Sequence, residues 1–437
     1  MQRELTGYAR LVSVVALALA GALGLWVVQL RDELREARQS AERLTFLERE
    51  VERLQSVAAT HHAGKLEEEE KNWRVKIEQT TAEVRGLAFL EPVKYAQLKR
   101  SDIGAVVEKK IAEVYSEEDL SAAEFAYAAM GFLPKGFKMK DAYVRLLGEQ
   151  IAAFYDQHED KLFTFEGSPL AKLQNRIILA HELTHALQDQ HFRLETFPLE
   201  VKDNDDLAMS VAALVEGDAT LLMGQYVLHS ARGFSWDILG AVFGQQMDEL
   251  ERSPAFLRES LLFPYVKGQE FAMALWSHGG FDRVNEAYRK LPQATSQILH
   301  PERYLREPDW KPQLVEWAPP PFQGNAPKYR NVAGEFGIGT LLKGQGRKDA
   351  VEIAAGWDGD RYAVYAVEGR PVVWWRTAWR TPEAAGHFAG AMQAVLPGLW
   401  NTAEEPSEWE VISRSETEVD LLRAPTKDML EALRALE

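Results

Sequence analysis

The stretch Ile177-Ile178-Leu179-Ala180-His181-Glu182-Leu183-Thr184-His185-Ala186-Leu187 decides how this 437-residue chain is read. It holds no helix breaker and is apolar around nearly its whole circumference, which is the pattern of a buried helix. Residues four apart on a helix project from one face, so His181 and His185 can grip a single metal ion. Glu182 stands beside the first histidine, where a carboxylate can take a proton from activated water. A pair of packed core histidines is the plainer alternative. The spacing predicts a zinc hydrolase and leaves its substrate open.

A hydrolytic zinc site takes three protein ligands and keeps one position open. Two residues compete to be the third. His191 lies ten residues after His181, the spacing of metzincin sites, H-E-x-x-H-x-x-G-x-x-H. That pattern needs Gly at its eighth place so that the chain can turn back, and Gln188 stands there. Glu216 lies in a later apolar helical pattern, Val211-Ala212-Ala213-Leu214-Val215-Glu216-Gly217-Asp218-Ala219-Thr220, where an unpaired charge is costly. Gly217 beside it permits close helix approach. The balance favours Glu216, with His191 a surface residue at the helix end.

The motif His181-Glu182-Leu183-Thr184-His185-Ala186 resembles the metal helix of thermolysin-like peptidases, in the gluzincin group, whose third ligand is a Glu on a later helix. The resemblance implies a mainly helical, zincin-like catalytic domain of α+β class. It implies Zn²⁺ held by His181, His185 and Glu216, with Glu182 as general base and then acid. The group places a supporting Asp four residues after the ligand Glu; here Thr220 stands there and Asp218 lies two residues on. Asp189, one turn past His185, is another candidate orienter. Residues 87–424 also resemble bacterial membrane or exported metallopeptidase-like proteins. These share Phe154-Tyr155-Asp156, Glu216-Gly217-Asp218-Ala219 and Ser296-Gln297-Ile298-Leu299-His300-Pro301. Related peptidases draw a Tyr or His donor for the developing oxyanion from later in the chain. Tyr265 and His300 are the catalytic candidates for that role, with Tyr226 and His229 behind them.

Outward from the motif, Gln150–Tyr155 and Lys161–Phe165 flank a short polar link and read as a hairpin. Its edge strand could pair with an extended peptide. Asp203-Asn204-Asp205-Asp206 supplies capping residues for a helix over Leu207–Ala231. Earlier helical patterns cover Ile103–Tyr115 and Ser121–Met130, and later ones Pro254–Leu262, with Ser253 as its cap, and Gly268–Trp276. Ala318-Pro319-Pro320-Pro321 and Pro327 mark a linker over 318–330, between a catalytic domain at 87–317 and a small α+β accessory domain at 331–437. In that domain Arg361–Val367, Val372–Trp379 and Trp409–Leu422 read as strands, and Pro382–Val395 as a helix.

Leu11–Leu30 is an uncharged run of 20 residues between Arg10 and Arg31, long enough to span a bilayer as a helix. Ala18-Leu19-Ala20 has the form of a signal cleavage site, but the run continues past it, which favours an anchor over 1–30. The basic residues after the run, Arg31, Arg35, Arg38 and Arg43, argue for a cytoplasmic body; the layout of a short tail and apolar run argues for export. The expectation is a single-pass membrane protein with an extracytoplasmic catalytic domain. Leu30, Ala37, Leu44, Val51 and Ala58 recur every seven residues, the mark of a coiled-coil stalk and of a homodimer formed through it. The stalk is expected over 31–86, with a second charged helix that carries Trp73, Ile77, Val84 and Leu87.

A formal charge of -16 argues against nucleic acid as partner, and the absence of cysteine excludes disulfides and thiolate zinc sites. Two readings remain. One is a membrane-anchored zinc metalloendopeptidase that acts on protein or peptide substrates. The other is a non-catalytic assembly or scaffold protein with a structural or vestigial zinc site, for which Glu182 has no chemical use.

Overall fold

A computed structural model of the chain describes residues 63–148, 153–230, 247–400 and 406–436. The run Leu11–Leu30 and the heptads lie outside those residues. Helix α1 (Ala63–Arg85) leads to strand β1 (Lys94–Leu98) and then to helices α2 (Ile103–Val114), α3 (Glu117–Met130) and α4 (Met139–Gly148). A capping box between Ser116 and Asp119 starts α3, and Gly131, at φ 86°, ends it in the left-handed conformation that glycine adopts without strain. The expected hairpin follows as β2 (Ala153–Asp156) and β3 (Lys161–Phe165). Strand β1 joins β3 in parallel, so the sheet order is β1-β3-β2 and β2 is an edge.

The metal-motif helix is α5 (Leu173–Phe192), buried without interruption from Leu179 to Asp189. Helix α6 (Asp205–Ser230) begins where expected, with the Asn204 side chain accepting from Leu207 N at 3.0 Å. Among the described residues it alone is long and apolar enough to cross a membrane, and most of it is buried in the protein core. After α7 (Met247–Arg252) comes α8 (Ala255–Ser277), then α9 (Gly280–Arg289), α10 (Thr295–Leu299) and α11 (Pro301–Arg306). The two helices expected over 254–276 are thus one, starting at Ala255 with Pro254 rather than Ser253 in the cap position, and running through Pro264 and Gly268. Proline removes one backbone hydrogen bond, a loss that long packing against α6 outweighs.

The C-terminal region holds β4 (Tyr329–Asn331), α12 (Gly334–Gly344), α13 (Ala350–Ala354), β5 (Trp357–Val367), β6 (Arg370–Trp379), α14 (Pro382–Trp400), β7 (Glu408–Ser413), β8 (Glu418–Ala424) and α15 (Lys427–Arg434). Its five strands form an antiparallel sheet in the order β4-β5-β6-β8-β7. The whole is mixed α+β.

Three boundaries differ from the sequence reading. Helix α1, assigned to a stalk, packs on α5 and α6, and its Ile77, Thr81 and Arg85, spaced by four, are all buried. The proline-rich linker is held in place: Phe322 is buried, the Pro320 carbonyl accepts from the Tyr365 hydroxyl at 2.7 Å, and Tyr329–Asn331 is a strand of the sheet. The region after 331 shares one apolar core with α2–α4, in which Tyr127 and Phe132 join Tyr362 and Trp375.

Gly217 and Gly268 are where α6 and α8 cross. A Cβ on Gly217 would lie 2.1 Å from the Gly268 carbonyl oxygen, and one on Gly268 would lie 2.1 Å from that of Ala213. Both obstacles are backbone and cannot swing away. Gly217→Ala is therefore expected to destabilise the protein by at least about 1–3 kcal/mol through overpacking. Gly224→Ala, on the same helix with nothing within 4 Å of the new atom, should be neutral or stabilise by up to about 1 kcal/mol. Denaturant unfolding of both variants checks the pair.

Candidate metal centre

Helix periodicity puts His181, His185 and Gln188 on one stripe of α5, and the α6–α8 crossing presses Glu216 against it. The result is a triangle of ligand atoms. His181 Nε2 and His185 Nε2 are 3.1 Å apart, and Glu216 Oε2 lies 3.3 Å from the first and 3.5 Å from the second. Three donors on a tetrahedral ion with bonds of about 2.0–2.2 Å stand about 3.3–3.5 Å from one another. The side chains therefore already hold the spacing that such an ion needs. Glu216 Oε2 is buried and accepts no hydrogen bond, although a carboxylate oxygen in that setting needs a partner. Two imidazoles and one carboxylate suit zinc and other transition metals better than magnesium or calcium.

The charges on these groups compensate one another. Burial opposes ionisation of Glu216, yet His185 and His181 beside it hold its pKa down at about 2. Burial also disfavours charge on His185, but Glu216 prevails and lifts it to about 9. His181 is lowered by burial. In the metal-free protein His185 thus carries both ring protons and balances the Glu216 charge. A cation entering the site replaces one of those protons.

Around the triangle the structure adds residues that the sequence reading did not assign. Gln188 donates from Nε2 to the Val215 carbonyl and to Asp218 Oδ2, both at 3.0 Å, which leaves its Oε1 to accept from His185 Nδ1 at 2.9 Å. That arrangement keeps a proton on Nδ1, so that Nε2 is the nitrogen free to give its proton up, and aims Nε2 at the centre. Asp218 in turn receives Arg85 Nη2 at 3.0 Å and the Tyr288 hydroxyl at 2.8 Å, and Arg85 also reaches Asn285 Oδ1 at 2.7 Å. The carboxylate two residues after Glu216 therefore supports His185 through an amide. The signal in the sequence is a polar residue three positions past His185 in an apolar helix.

Glu182 is buried and points at the edge strand, where the Tyr155 N–H donates to Oε2 at 3.0 Å. Burial pushes its pKa up to about 8; Glu216 adds to the rise, while His185 and the Tyr155 N–H oppose it. A general base is most effective near that range. Strand β2 is buried along its whole length, so its outer N–H serves the Glu182 carboxylate instead of standing open for a peptide.

The other candidates separate clearly. The Tyr265 ring stacks on His181 at 6.3 Å, and its buried hydroxyl has no hydrogen-bond partner. Burial raises that hydroxyl well above the usual tyrosine range, so it stays a donor. His300 is not at the centre: Nε2 pairs with Glu335 Oε1 at 2.6 Å, and Arg303 holds the other oxygen. His191 Nε2 faces the Ala88 carbonyl at 2.7 Å, because α5 continues straight past Gln188 and no turn brings it back. His229 is exposed in the last turn of α6, and Tyr226 sits in the apolar cluster behind α5. Asp189 orients no histidine; it accepts from the Tyr155 hydroxyl and from Leu194 N, both at 2.9 Å. Among the described residues, His181, His185 and Glu216 are the single group of this kind that converges.

A family model described as a domain of unknown function (DUF8575) matches residues 323–434, within the C-terminal region and outside the metal centre. No curated protein and no solved structure matches the chain.

Replacing Gln188 by Leu keeps the volume and removes the acceptor for His185. The variant is expected to lose about 10–100-fold in Zn²⁺ affinity, measured by competition with a chelator, with the fold intact by circular dichroism. His191→Ala should leave that affinity unchanged.

Proposed function

We propose that this chain is a zinc-dependent endopeptidase, with His181, His185 and Glu216 as metal ligands, Glu182 as the proton carrier and Tyr265 as the oxyanion donor. The observation that carries it is the triangle of Nε2, Nε2 and Oε2 atoms at 3.1, 3.3 and 3.5 Å with an oriented glutamate beside it. When bound, Zn²⁺ supplies a Lewis acid that makes water acidic enough to lose a proton near neutral pH.

The protein's own groups do the rest. Glu182 takes a proton from water as the oxygen adds to the peptide carbonyl carbon. It then delivers that proton to the amide nitrogen as the C–N bond breaks, so the products are a carboxylic acid and an amine. The Tyr155 N–H keeps the carboxylate aimed during both transfers. Tyr265 donates to the carbonyl oxygen as negative charge builds on it. The Gln188–Asp218–Arg85 relay holds His185 still, and burial of the whole group strengthens each of these interactions. Attachment to a membrane through Leu11–Leu30, an extracytoplasmic body and dimerisation through the heptads belong to the same proposal. They rest on the sequence pattern.

A scaffold role gives Glu182 nothing to do, whereas here a backbone N–H of the neighbouring strand orients it. The test is Glu182→Gln in the full chain. It should retain bound zinc and lose about 10²–10⁴-fold in peptide hydrolysis. Hydrolysis close to that of the unaltered protein would remove Glu182 from the mechanism, and wild-type protein that is inert with its metal in place would leave the scaffold reading.

A further inference from the structure

Glu216 and Tyr265 also line a cavity of about 430 Å³. Packed cores leave few voids larger than a water molecule, and pockets that hold ligands begin at about 300 Å³. The space is therefore too large for a packing defect and within the range of ligand pockets. Its shape follows from α6. Asp205, Met209, Ala212 and Glu216 all line it and fall on one helix face. Eleven residues of helix from Asp205 to Glu216 give a length of about 16 Å. Three extended residues span about 10 Å, so the cavity accommodates them and is too long for one side chain.

The walls are mainly apolar with several aromatic rings, and they come from both halves of the protein. Phe132 stacks on Phe256 at 4.4 Å, Tyr127 meets Tyr329 edge-on at 5.9 Å, and Phe336 lies 6.4 Å from Phe256. Tyr329 and Phe336 belong to the C-terminal region. The basic residues of the lining are engaged: Lys202 pairs with Asp119 at 2.9 Å, Arg330 with Asp203 at 3.6 Å, and Lys328 lies over the Phe125 ring. The lining carboxylates are engaged too, Asp119 by Lys202, Asp205 by the Tyr127 hydroxyl, Asp206 by the Thr295 hydroxyl and Glu216 by the two histidines, so a charged group of either sign would trade its hydration for partners already in use. Tyrosine walls combine apolar faces with hydroxyls, which suits a peptide, whose backbone needs polar partners, better than a bare hydrocarbon tail.

We propose that this cavity receives an extended, uncharged stretch of about three bulky residues of a polypeptide substrate, on one side of the bond presented at Glu216 and Tyr265. The proposal rests on the hydrolase reading and adds to it a substrate class: unfolded apolar chain segments, recognised over several residues. It also gives the C-terminal region a task, because that region completes the walls.

The test uses peptides with one, two or three bulky apolar residues on either side of a central bond, against alanine in those positions. Two measurements are made on the full chain: hydrolysis by the wild type, and binding to zinc-loaded Glu182→Gln. On one side of the bond, each added bulky residue should raise kcat/KM and affinity roughly tenfold. Met209 lies seven residues from Glu216, about 10 Å along α6. Met209→Trp should therefore keep the gain from the residue nearest the bond and abolish the gain from the third. Phe336→Ala, at the Asp206 end of the cavity, is the second variant should the first not fold, and it too should reduce the third gain alone.

A preference that saturates at one residue, or that survives both variants, overturns the proposal. So does tighter binding of a peptide in which a fatty-acyl chain replaces the apolar residues, which would make the occupant a lipid. Length-dependent binding to Glu182→Gln with no cleavage by the wild type would keep the cavity assignment and remove the hydrolase reading.

Discussion

Two helices that touch backbone to backbone set the position of everything else. At the crossing of α6 and α8 neither Gly217 nor Gly268 has a side chain to hold the axes apart. Glu216 is the residue before one glycine, and Tyr265 lies one turn before the other. Closing the crossing therefore delivers a carboxylate and a phenol to the same side of α5, where His181 and His185 already face inward. A wider crossing would leave the same residues in the same order and no triangle of ligand atoms.

That geometry gathers charge in a dry place, and the protein offsets the cost by pairing. Glu216 is matched by His185, Asp218 by Arg85, and Asp156 by Lys110. Buried pairs of this kind add little net stability, because desolvation consumes most of the attraction. Their effect is on geometry. A guanidinium with Asp218 and Asn285 as partners has few alternative positions, and the amide and imidazole beyond it inherit that restriction. The same rule explains the sheet in the C-terminal region, where Asp360 accepts from two tryptophan indoles and from the backbone at the start of α12.

Local patterns in the sequence reported local features well. The apolar period around His181 and His185 gave the helix, the glycine beside Glu216 gave the close approach, and strand-like runs gave both arms of the hairpin. Features that depend on distant partners were not legible. Strand β1 has no distinctive pattern, since its pairing with β3 lies more than sixty residues away. Arg85 sits in a charged segment and reads as solvated until Asp218, 133 residues on, is seen beside it. Gln188 was measured against one motif's glycine, and that comparison hid its own hydrogen-bonding capacity. The single helix over 255–277 was not legible either, because the packing that carries it through Pro264 comes from another helix. The packing of the proline-rich segment was hidden for a related reason: composition marks where prolines are, not whether the segment is held in place.

The separation between Arg85 and its partners also bears on how the protein is made. A ribosome releases the first half of the ligand relay long before Asp218 and Asn285, 200 residues beyond Arg85. The tyrosine at 362 that lines the cavity emerges later still. The candidate metal centre thus cannot take its final shape before Tyr288 has emerged, since contacts this distant in sequence must wait for loop closure. Order of synthesis alone keeps the site from maturing until the helices through α9 stand around it.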